Sequence, residues 1–249
     1  MTMLDDITED SLLDGRVTLR QLAEGYRAAI DPVLLAAATP AADGEHVLDV
    51  GSGVGAASLC LAYRVKGCRL FGVEGQRDLV RLAVDNAVLN GFEGRMDMMV
   101  GDLTRPPPRL AAGSFHHVMS NPPFLEAERA RPSPHGMKAM STVESSADLA
   151  AWIDFCIKMV RYKGTITLIH RADRLDELLA ALRGRAGGLV LYPLWPTADG
   201  GRPAKRVIVH AIKGGSAPLR LSPGLALHAN GGYTAEADAV LREGAALAL

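Results

Sequence analysis

Short apolar runs alternate with longer amphipathic stretches through most of the chain. A strand that is covered on both faces reads as a continuous apolar segment. On that basis we predict seven strands, over residues 47–50, 69–74, 97–100, 115–120, 165–170, 189–194 and 207–212. Apolar residues at helical spacing predict the intervening helices, over residues 31–39, 56–63, 77–90, 147–161 and 175–183. We expect Asp31 to cap the first helix, and Thr234 to cap a short helix near the end.

This order of elements predicts an α/β fold. Strands that alternate with helices form a parallel sheet covered on both faces, so we expect a doubly wound, Rossmann-like, mostly parallel seven-stranded sheet. The last two strands have no helix between them, which predicts an antiparallel C-terminal hairpin. Lys163-Gly164 is expected to form a turn before the fifth strand, and residues 16–20 a short strand or turn. We expect one domain over residues 1–249, with a core at 45–214, an N-terminal segment at 1–44 and a tail at 215–249.

Composition limits the classes of partner. The 249 residues carry a formal charge of −1, so binding of a nucleic acid would need a local basic patch. The three cysteines, Cys60, Cys68 and Cys156, form no CxxC pair and are expected to be reduced core residues. The N-terminus is acidic and no apolar run is long enough to span a membrane. These features predict a cytoplasmic protein without a membrane partner, and the histidines show no metal-ligand spacing.

A glycine-rich loop follows the first predicted strand. Gly51, Gly53 and Gly55 allow close approach of a ligand to the backbone ahead of a helix N-terminus. Together with Ala56 the loop also satisfies the G-x-G-x-x-G/A pattern of dinucleotide-binding proteins. Glu74 ends the next strand, where a carboxylate can accept hydrogen bonds from ribose hydroxyls. The loop and Glu74 are equally compatible with NAD and with S-adenosylmethionine.

Two aspartates bear on that choice. Asp49 lies two residues before the first glycine, where its charge would repel a pyrophosphate and would suit a ligand with ammonium and sulfonium groups. Asp102 follows the third strand and is positioned to contact an adenine amino group. Asp49 therefore favours S-adenosylmethionine.

The sequence S-N-P-P-F, residues 120–124, follows the fourth strand. Doubly wound sheets bind ligands at this edge, so the motif is expected to face the glycine loop. The side-chain carbonyl of Asn121 and the backbone carbonyl of Pro122 can accept the two N–H groups of a planar amine, and Phe124 offers a face for stacking. Holding both N–H groups localises the nitrogen lone pair, which indicates transfer of a methyl group to that nitrogen.

Taken together, V-L-D-V-G-S-G-V-G, Glu74, G-D-L and N-P-P-F resemble the class I S-adenosylmethionine-dependent amino-methyltransferases, and more narrowly the bacterial tRNA(Val) adenine methyltransferases. The resemblance extends to G-Y-R-A-A-I-D-P-V-L-L-A-A-A at residues 25–38 and R-P-A-K-R-V-I-V-H-A-I-K-G at 202–214. It implies methylation of an exocyclic adenine amine in tRNA, with no covalent enzyme intermediate.

The resemblance also implies roles for particular residues. The N-terminal segment would close over the cofactor, and residues 121–124 would hold the target amine. The implied cofactor-binding residues are Tyr26, Arg27, Asp31, Asp49, Gly51, Ser52, Gly53, Gly55, Glu74, Asp102, Leu103 and Asn121, and the implied amine-binding residues are Asn121, Pro122, Pro123 and Phe124.

Some positions depart from the family pattern. His116 and His117 replace an aspartate of the fourth strand, and Phe124 replaces a tyrosine. The loop after N-P-P-F is longer than expected, and it carries one of two candidate RNA-binding patches. These patches consist of Arg129, Arg131 and Lys138, and of Arg202, Lys205 and Arg206.

Alternative functions remain at this stage. The same motif occurs in enzymes that methylate an rRNA base or a glutamine amide of a translation factor. An NAD-dependent oxidoreductase would leave N-P-P-F unexplained, and a non-catalytic RNA-binding relative would leave Asp49, Glu74 and Asn121 without a role.

Overall fold

A computed structural model describes residues 7–23, 27–103, 106–123 and 149–249, together with the backbone of two short paired strands at Leu125–Glu126 and Val143–Glu144. Its first element is an antiparallel hairpin of β1, Ile7–Leu12, and β2, Val17–Leu22. The inner strand buries Val17 and Leu19, whereas residues of β1 alternate between exposed and half-buried. Half of this hairpin therefore carries little hydrophobic pattern for a sequence-based prediction to use.

Ten strands form the central sheet. In chain order they are β3 His46–Val50, β4 Arg69–Glu74, β5 Met96–Val100, β6 Phe115–Ser120, β9 Val160–Arg171, β10 Ala186–Thr197, β11 Arg206–Lys213, β12 Arg220–Leu221, β13 Leu225–Ala229 and β14 Gly232–Tyr233, where β7 and β8 are the two short strands noted above. The order across the sheet is β14-β13-β10-β11-β9-β6-β3-β4-β5, and β12 pairs with β10. All seven predicted strands are present, and three short C-terminal strands extend the sheet.

The strands on either side of the glycine loop are parallel. Strands β9, β6, β3, β4 and β5 pair in parallel register, and β11 runs antiparallel between β9 and β10. This arrangement confirms the predicted α/β class and the antiparallel hairpin near the C-terminus. It also directs the carboxyl ends of the parallel strands to one edge of the sheet.

Helices cover both faces. They are α1 Ile30–Ala38, α2 Ala56–Arg64, α3 Arg77–Leu89, α4 Leu149–Met159, α5 Leu175–Leu182 and the short α6 Ala235–Asp238. Leu34 of α1 and Leu59 of α2 share one core cluster with the sheet residue Met119, whereas Ile153 of α4 and Leu178 of α5 share a second cluster. The described helices include none that is long and apolar enough to span a membrane.

The structure corrects one local prediction and refines another. Ala29, not Asp31, is the N-cap of α1, so the side chain of Asp31 lies in the first turn and is available for an ion pair. The predicted turn at Lys163-Gly164 lies in a wide bulge of β9, where pairing with β6 passes from Val160 directly to Thr165. Lys163 has the left-handed conformation there, and pairing with β11 begins at Thr165, the predicted start of the strand. The predicted cap of the last helix is confirmed, since Thr234 accepts a hydrogen bond from the Ala237 amide.

Candidate functional site: a cofactor loop beside an amine-binding motif

Four adjacent strand ends define the candidate site. Strands β6, β3, β4 and β5 are neighbours in the sheet and end at Ser120, Val50, Glu74 and Val100. The Cα register pairs Val50 with both Ser120 and Val73. The segments that follow these strands hold the glycine loop, Asp102 and the SNPP sequence, so the fold places these predicted site residues along one edge.

The glycine loop is tied to β4 by its backbone. The amides of Gly51 and Ser52 donate to the Val73 carbonyl at 2.8 and 3.2 Å. Gly51, Gly53 and Gly55 have φ of +72°, +54° and +85°, in a region where a side chain would be strained. Gly55 ends the loop in this conformation and is followed directly by α2. The loop is therefore a rigid turn that leads into a helix N-terminus.

Glu74 is held by backbone N–H groups. Its Oε2 accepts from the Gly53 amide at 3.1 Å, and its Oε1 accepts from the Gln76 amide at 3.0 Å. Burial raises the pKa of this carboxyl above its usual value, although the backbone hydrogen bonds oppose that shift. Because each carboxylate oxygen has two acceptor sites, the group retains capacity for the hydroxyls of a ligand.

Asp49 is a buried carboxyl behind the loop. Its side chain is 2 % exposed and its Oδ2 accepts a hydrogen bond from Ser58 Oγ at 2.8 Å. Burial raises the pKa of Asp49 to about 7; the hydrogen bonds from Ser58 lower it, and the nearby Glu74 carboxylate raises it further. A cationic ligand group would favour its ionised form. The sequence analysis did not identify Ser58 as a partner of Asp49, although its position in the first turn of the helix after the loop could have indicated this contact.

The other predicted contacts follow β5 and β6. Asp102 is exposed and Leu103 is half-buried just after β5. Asn121 and Pro123 are half-buried and Pro122 is buried directly after β6. These positions agree with a role at the same edge, and the individual contacts to a ligand remain predictions.

The residues present fit S-adenosylmethionine. Ser52 Oγ is buried and has no hydrogen-bond partner within the described part of the chain, so it offers a polar group beside the loop. Among the described residues other than its chain neighbours, none has an atom within 4 Å of the position that a Cβ of Gly53 would occupy, which leaves open space on that side of the loop. The site combines the Ser52 hydroxyl and open space at the loop with the buried carboxyl of Asp49 and the carboxyl of Glu74, which suits ribose hydroxyls. These groups form a suitable set of donors and acceptors for the cofactor.

A tryptophan contacts the site from α4. Trp152 Nε1 donates to Ser120 Oγ at 2.8 Å, and Ser120 Oγ donates to the Val50 carbonyl at 2.6 Å. Sequence reasoning assigned Trp152 only to packing, because nothing in the local pattern links residue 152 to residues 50 and 120.

The residues just before α1 are tied to the hairpin. Arg27 donates to Thr8 Oγ1 at 2.9 Å and to Asp10 Oδ2 at 2.6 Å. The Ala28 amide donates to Gln21 Oε1 at 2.9 Å. The guanidinium of Arg27 therefore faces the hairpin in this structure, and its proposed contact with the cofactor stays a prediction.

Asp31 and Arg206 form an ion pair. Arg206 Nε lies 3.0 Å from Asp31 Oδ2, with 32 % and 14 % of the two side chains exposed. The pair joins a residue predicted to bind the cofactor to one predicted to bind RNA. Arg202 and Lys205 are exposed beside it, just before β11.

Several predicted residues lie outside the described part of the chain. These are Tyr26, Phe124, Arg129, Arg131 and Lys138. Their roles stay predictions.

His116, His117 and the three cysteines make contacts within the protein. Cys60, Cys68 and Cys156 are all buried and reduced. His117 Nε2 lies 2.7 Å from Glu45 Oε2 and its Nδ1 lies 2.8 Å from Thr165 Oγ1. His116 Nδ1 accepts from the His46 amide instead, so the two neighbouring imidazoles have different partners. Among the described residues, no cluster of His, Cys, Asp and Glu is arranged to hold a metal ion.

Comparisons with known proteins agree with this geometry. The methyltransferase small domain family matches residues 29–136. A tRNA1(Val) (adenine(37)-N6)-methyltransferase of Porphyromonas gingivalis is 29 % identical over 169 residues, which are 66 % of this chain and 66 % of the relative. The Aeromonas hydrophila protein of the same name is 26 % identical over 185 residues, which are 74 % of this chain and 75 % of the relative. The match thus spans slightly less than two thirds of the first relative's length.

A solved structure shows the same fold over most of the chain. A protein of Agrobacterium tumefaciens, described as a predicted O-methyltransferase, superposes with a TM-score of 0.72 and 26 % identity. The match covers 87 % of this chain and 98 % of the Agrobacterium chain. With the glycine loop, Glu74 and the SNPP sequence along one edge, the chain is similar to the methyltransferase small domain family over residues 29–136 and to the bacterial tRNA1(Val) (adenine(37)-N6)-methyltransferases, and it has the fold of the Agrobacterium protein.

Proposed function

We propose that the protein is an N-methyltransferase that methylates the exocyclic amine of an adenine in tRNA. The observation that carries this proposal is the position of the SNPP turn, which follows β6 directly beside the glycine loop of β3. The proposal takes residues 45–214 as the catalytic core, 1–44 as a lid and 215–249 as a tail.

The motif suits a planar amine. An exocyclic amine of adenine is a weak nucleophile, because its lone pair is delocalised into the ring. The Asn121 side-chain carbonyl and the Pro122 carbonyl would accept its two N–H groups, and both bonds strengthen as the nitrogen becomes positive. S-adenosylmethionine, when bound, supplies an electrophilic methyl group attached to a sulfonium. Asn121 and Pro122 would orient the nitrogen, and the proton is lost to solvent after transfer.

Two findings support RNA as the substrate. The relatives from Porphyromonas and Aeromonas are named for adenine 37 of tRNA1(Val). Arg202 and Lys205 are exposed at the same edge as the site, because they precede β11, whose first residue pairs with Arg171 at the end of β9. Two exposed cations beside the active edge would contact phosphates in an otherwise slightly acidic protein. A tRNA substrate also agrees with the predicted cytoplasmic location.

The decisive experiment identifies the methylated nucleoside. Purified protein is incubated with labelled S-adenosylmethionine and total RNA from a strain that lacks the gene, and the digested RNA is analysed by mass spectrometry. We expect N6-methyladenosine in the tRNA fraction. Asn121→Ala should reduce its formation by about 100-fold or more, since one of the two acceptors is lost. Asn230→Gly is the matched control, because it removes an amide from the turn between β13 and β14 at the other end of the sheet order, and its φ of +51° suits glycine.

Other products would change the conclusion. A ribose-methylated nucleoside would indicate an O-methyltransferase, as the description of the Agrobacterium protein suggests for that protein. Methylation confined to rRNA would move the substrate to another RNA. If RNA gains no label while the cofactor still binds, translation-factor proteins with an accessible glutamine amide become the acceptors to test.

A further inference from the structure

Trp152 contacts the two parts of the site from a third element. Its indole Nε1 donates to Ser120 Oγ at 2.8 Å. Its six-membered ring lies against Gly51, where a Cβ would be 2.6 Å from Trp152 Cζ2 and 3.0 Å from Cη2. Any side chain at Gly51 would displace the indole, so glycine at this position serves the contact with α4 as well as the turn.

The contacted residues lie immediately next to the reacting groups. Gly51 begins the proposed cofactor loop, and Ser120 precedes Asn121, which would hold the amine. Ser120 is fully buried, and its hydroxyl donates to the Val50 carbonyl at 2.6 Å. A continuous hydrogen-bonded path therefore runs from the indole of Trp152 through the end of β6 to the end of β3.

The same face of α4 lies close to Asp49. Cys156 is one turn after Trp152 and is fully buried. Burial is the main cause of the raised pKa of its thiol, and the Asp49 carboxyl contributes to the shift. Ile153 and Cys156 of α4 also share a buried cluster with Leu48 and Val50 of β3, so the helix packs against the strand that leads into the cofactor loop, which restricts how the indole can move.

We propose that Trp152 is a positioning residue for methyl transfer, which holds the glycine loop and the SNPP turn at a fixed separation through Gly51 and Ser120. This inference rests on the proposed function, because it takes the loop as the methyl-donor side and the turn as the acceptor side. A misplacement of about 1 Å between reacting groups can reduce a rate by about 100-fold. The residue would act through Gly51 and Ser120, without touching the substrate.

Tryptophan at position 195 provides a matched control. Trp195 Nε1 donates to the Pro223 carbonyl at 2.8 Å, a bond as long as the one made by Trp152, on strand β10, which β9 and β11 separate from β6. Trp152→Phe and Trp195→Phe each remove one indole hydrogen bond. We expect Trp152→Phe to lower kcat about tenfold at saturating cofactor and RNA, while the Kd for S-adenosylmethionine changes less than about threefold. Trp195→Phe should leave both values unchanged.

A double-variant cycle tests the path through Ser120. Ser120→Ala should reduce kcat by a similar factor, and combining it with Trp152→Phe should cause little further loss, because both changes break the same connection. A role in packing alone would lower the melting temperature of each variant without changing kcat per mole of cofactor-binding protein. If Trp152→Phe keeps kcat within about twofold of Trp195→Phe, the proposal is wrong.

A fluorescence measurement separates failure of this inference from failure of the proposed function. The chain has two tryptophans, so Trp195→Phe leaves Trp152 as the single reporter. We expect its emission to change when S-adenosylhomocysteine binds, and Ser120→Ala in the same background to alter that response. This measurement needs no RNA and stays informative if no methylated RNA is found. Emission that is insensitive to the ligand would contradict contact between Trp152 and the cofactor loop.

Discussion

At the residue scale, Asp49 gives the site a pH dependence. Its pKa of about 7 means that the buried carboxyl is largely protonated in the free protein below neutral pH. A ligand with sulfonium and ammonium groups favours the ionised form, so binding must release a proton at acidic pH. We therefore predict that affinity for S-adenosylmethionine rises from about pH 5.5 to about pH 7 and then levels off.

Calorimetry in buffers of different ionisation enthalpy measures that proton release directly. Asp49→Asn keeps the shape of the side chain and should abolish the pH dependence while weakening binding. The same slope in Asp49→Asn would assign the titration to another group. The folding stability of the ligand-free protein changes with pH in the direction opposite to ligand affinity. The folded state holds this proton more tightly than the unfolded chain, so the stabilising contribution of Asp49 is lost as pH rises through 7.

At the element scale, two asparagines of α3 hold the N-terminal hairpin. Asn90 Oδ1 accepts from the Thr18 amide at 2.9 Å and Asn86 Oδ1 accepts from the Arg20 amide at 2.8 Å. Their Nδ2 groups donate to the carbonyls of the same two residues, and Asn86 also donates to the Val54 carbonyl of the glycine loop. The amides thus pair with the free edge of β2 as a neighbouring strand would.

This pairing predicts a local effect of mutation. Asn90→Ala should increase hydrogen exchange at the Thr18 amide, and Asn86→Ala at the Arg20 amide, with a loss of about 1–3 kcal/mol of stability for the buried Asn86. Asp85→Ala, on the exposed face of the same helix, is the control and should leave both amides protected. Unchanged exchange at Thr18 and Arg20 would show that the hairpin is held by its apolar residues alone.

Sequence reasoning found the elements with strong apolar patterns. The predicted bounds of β4 and β6 agree with the structure, and those of β3 and α3 differ by one residue. Strand β1 was missed because its residues are mostly polar. Strands β12 to β14 were missed because they contain only two to five residues, which give too short a pattern. The lengths of β9 and β10 were underestimated because the ends of these strands lie beyond their apolar runs.

The candidate site shows the same division. Residues on the loops after each strand were predicted together, because the carboxyl ends of parallel strands must meet. Asn86 and Asn90 lie in the predicted helix over residues 77–90, yet their role as hydrogen-bonding partners of β2 depends on residues 66 and 72 positions earlier in the chain. The contact of Trp152 with Gly51 also joins residues far apart in the chain, and no local sequence pattern predicts it.

At the scale of the whole molecule, RNA binding must come from the arrangement of charge, since the net charge is −1. Lys205 is exposed at the active edge. Lys66 precedes β4 and lies at the opposite edge of the sheet, where its ammonium stacks on Tyr63. Lys205→Glu and Lys66→Glu change the net charge equally. We predict that only Lys205→Glu weakens tRNA binding, by about tenfold, and lowers the salt slope of log Kd by about one.

Binding of tRNA at several salt concentrations, by filter retention or anisotropy, tests this difference. Equal losses for the two variants would mean that overall charge, and not a patch at the active edge, attracts RNA. Equal affinity of Lys205→Glu and the unmodified protein would direct attention to the basic residues that follow the SNPPF sequence.

The direct passage from α4 into β9 has a consequence for how this protein can vary in length. No residue separates Met159 from Val160, which pairs with Phe115, so an insertion there would rotate the helix by about 100° relative to the strand. Such a rotation would turn the indole away from Gly51. Insertions and deletions in related chains should therefore avoid this junction and accumulate in exposed turns such as Asn230-Gly231.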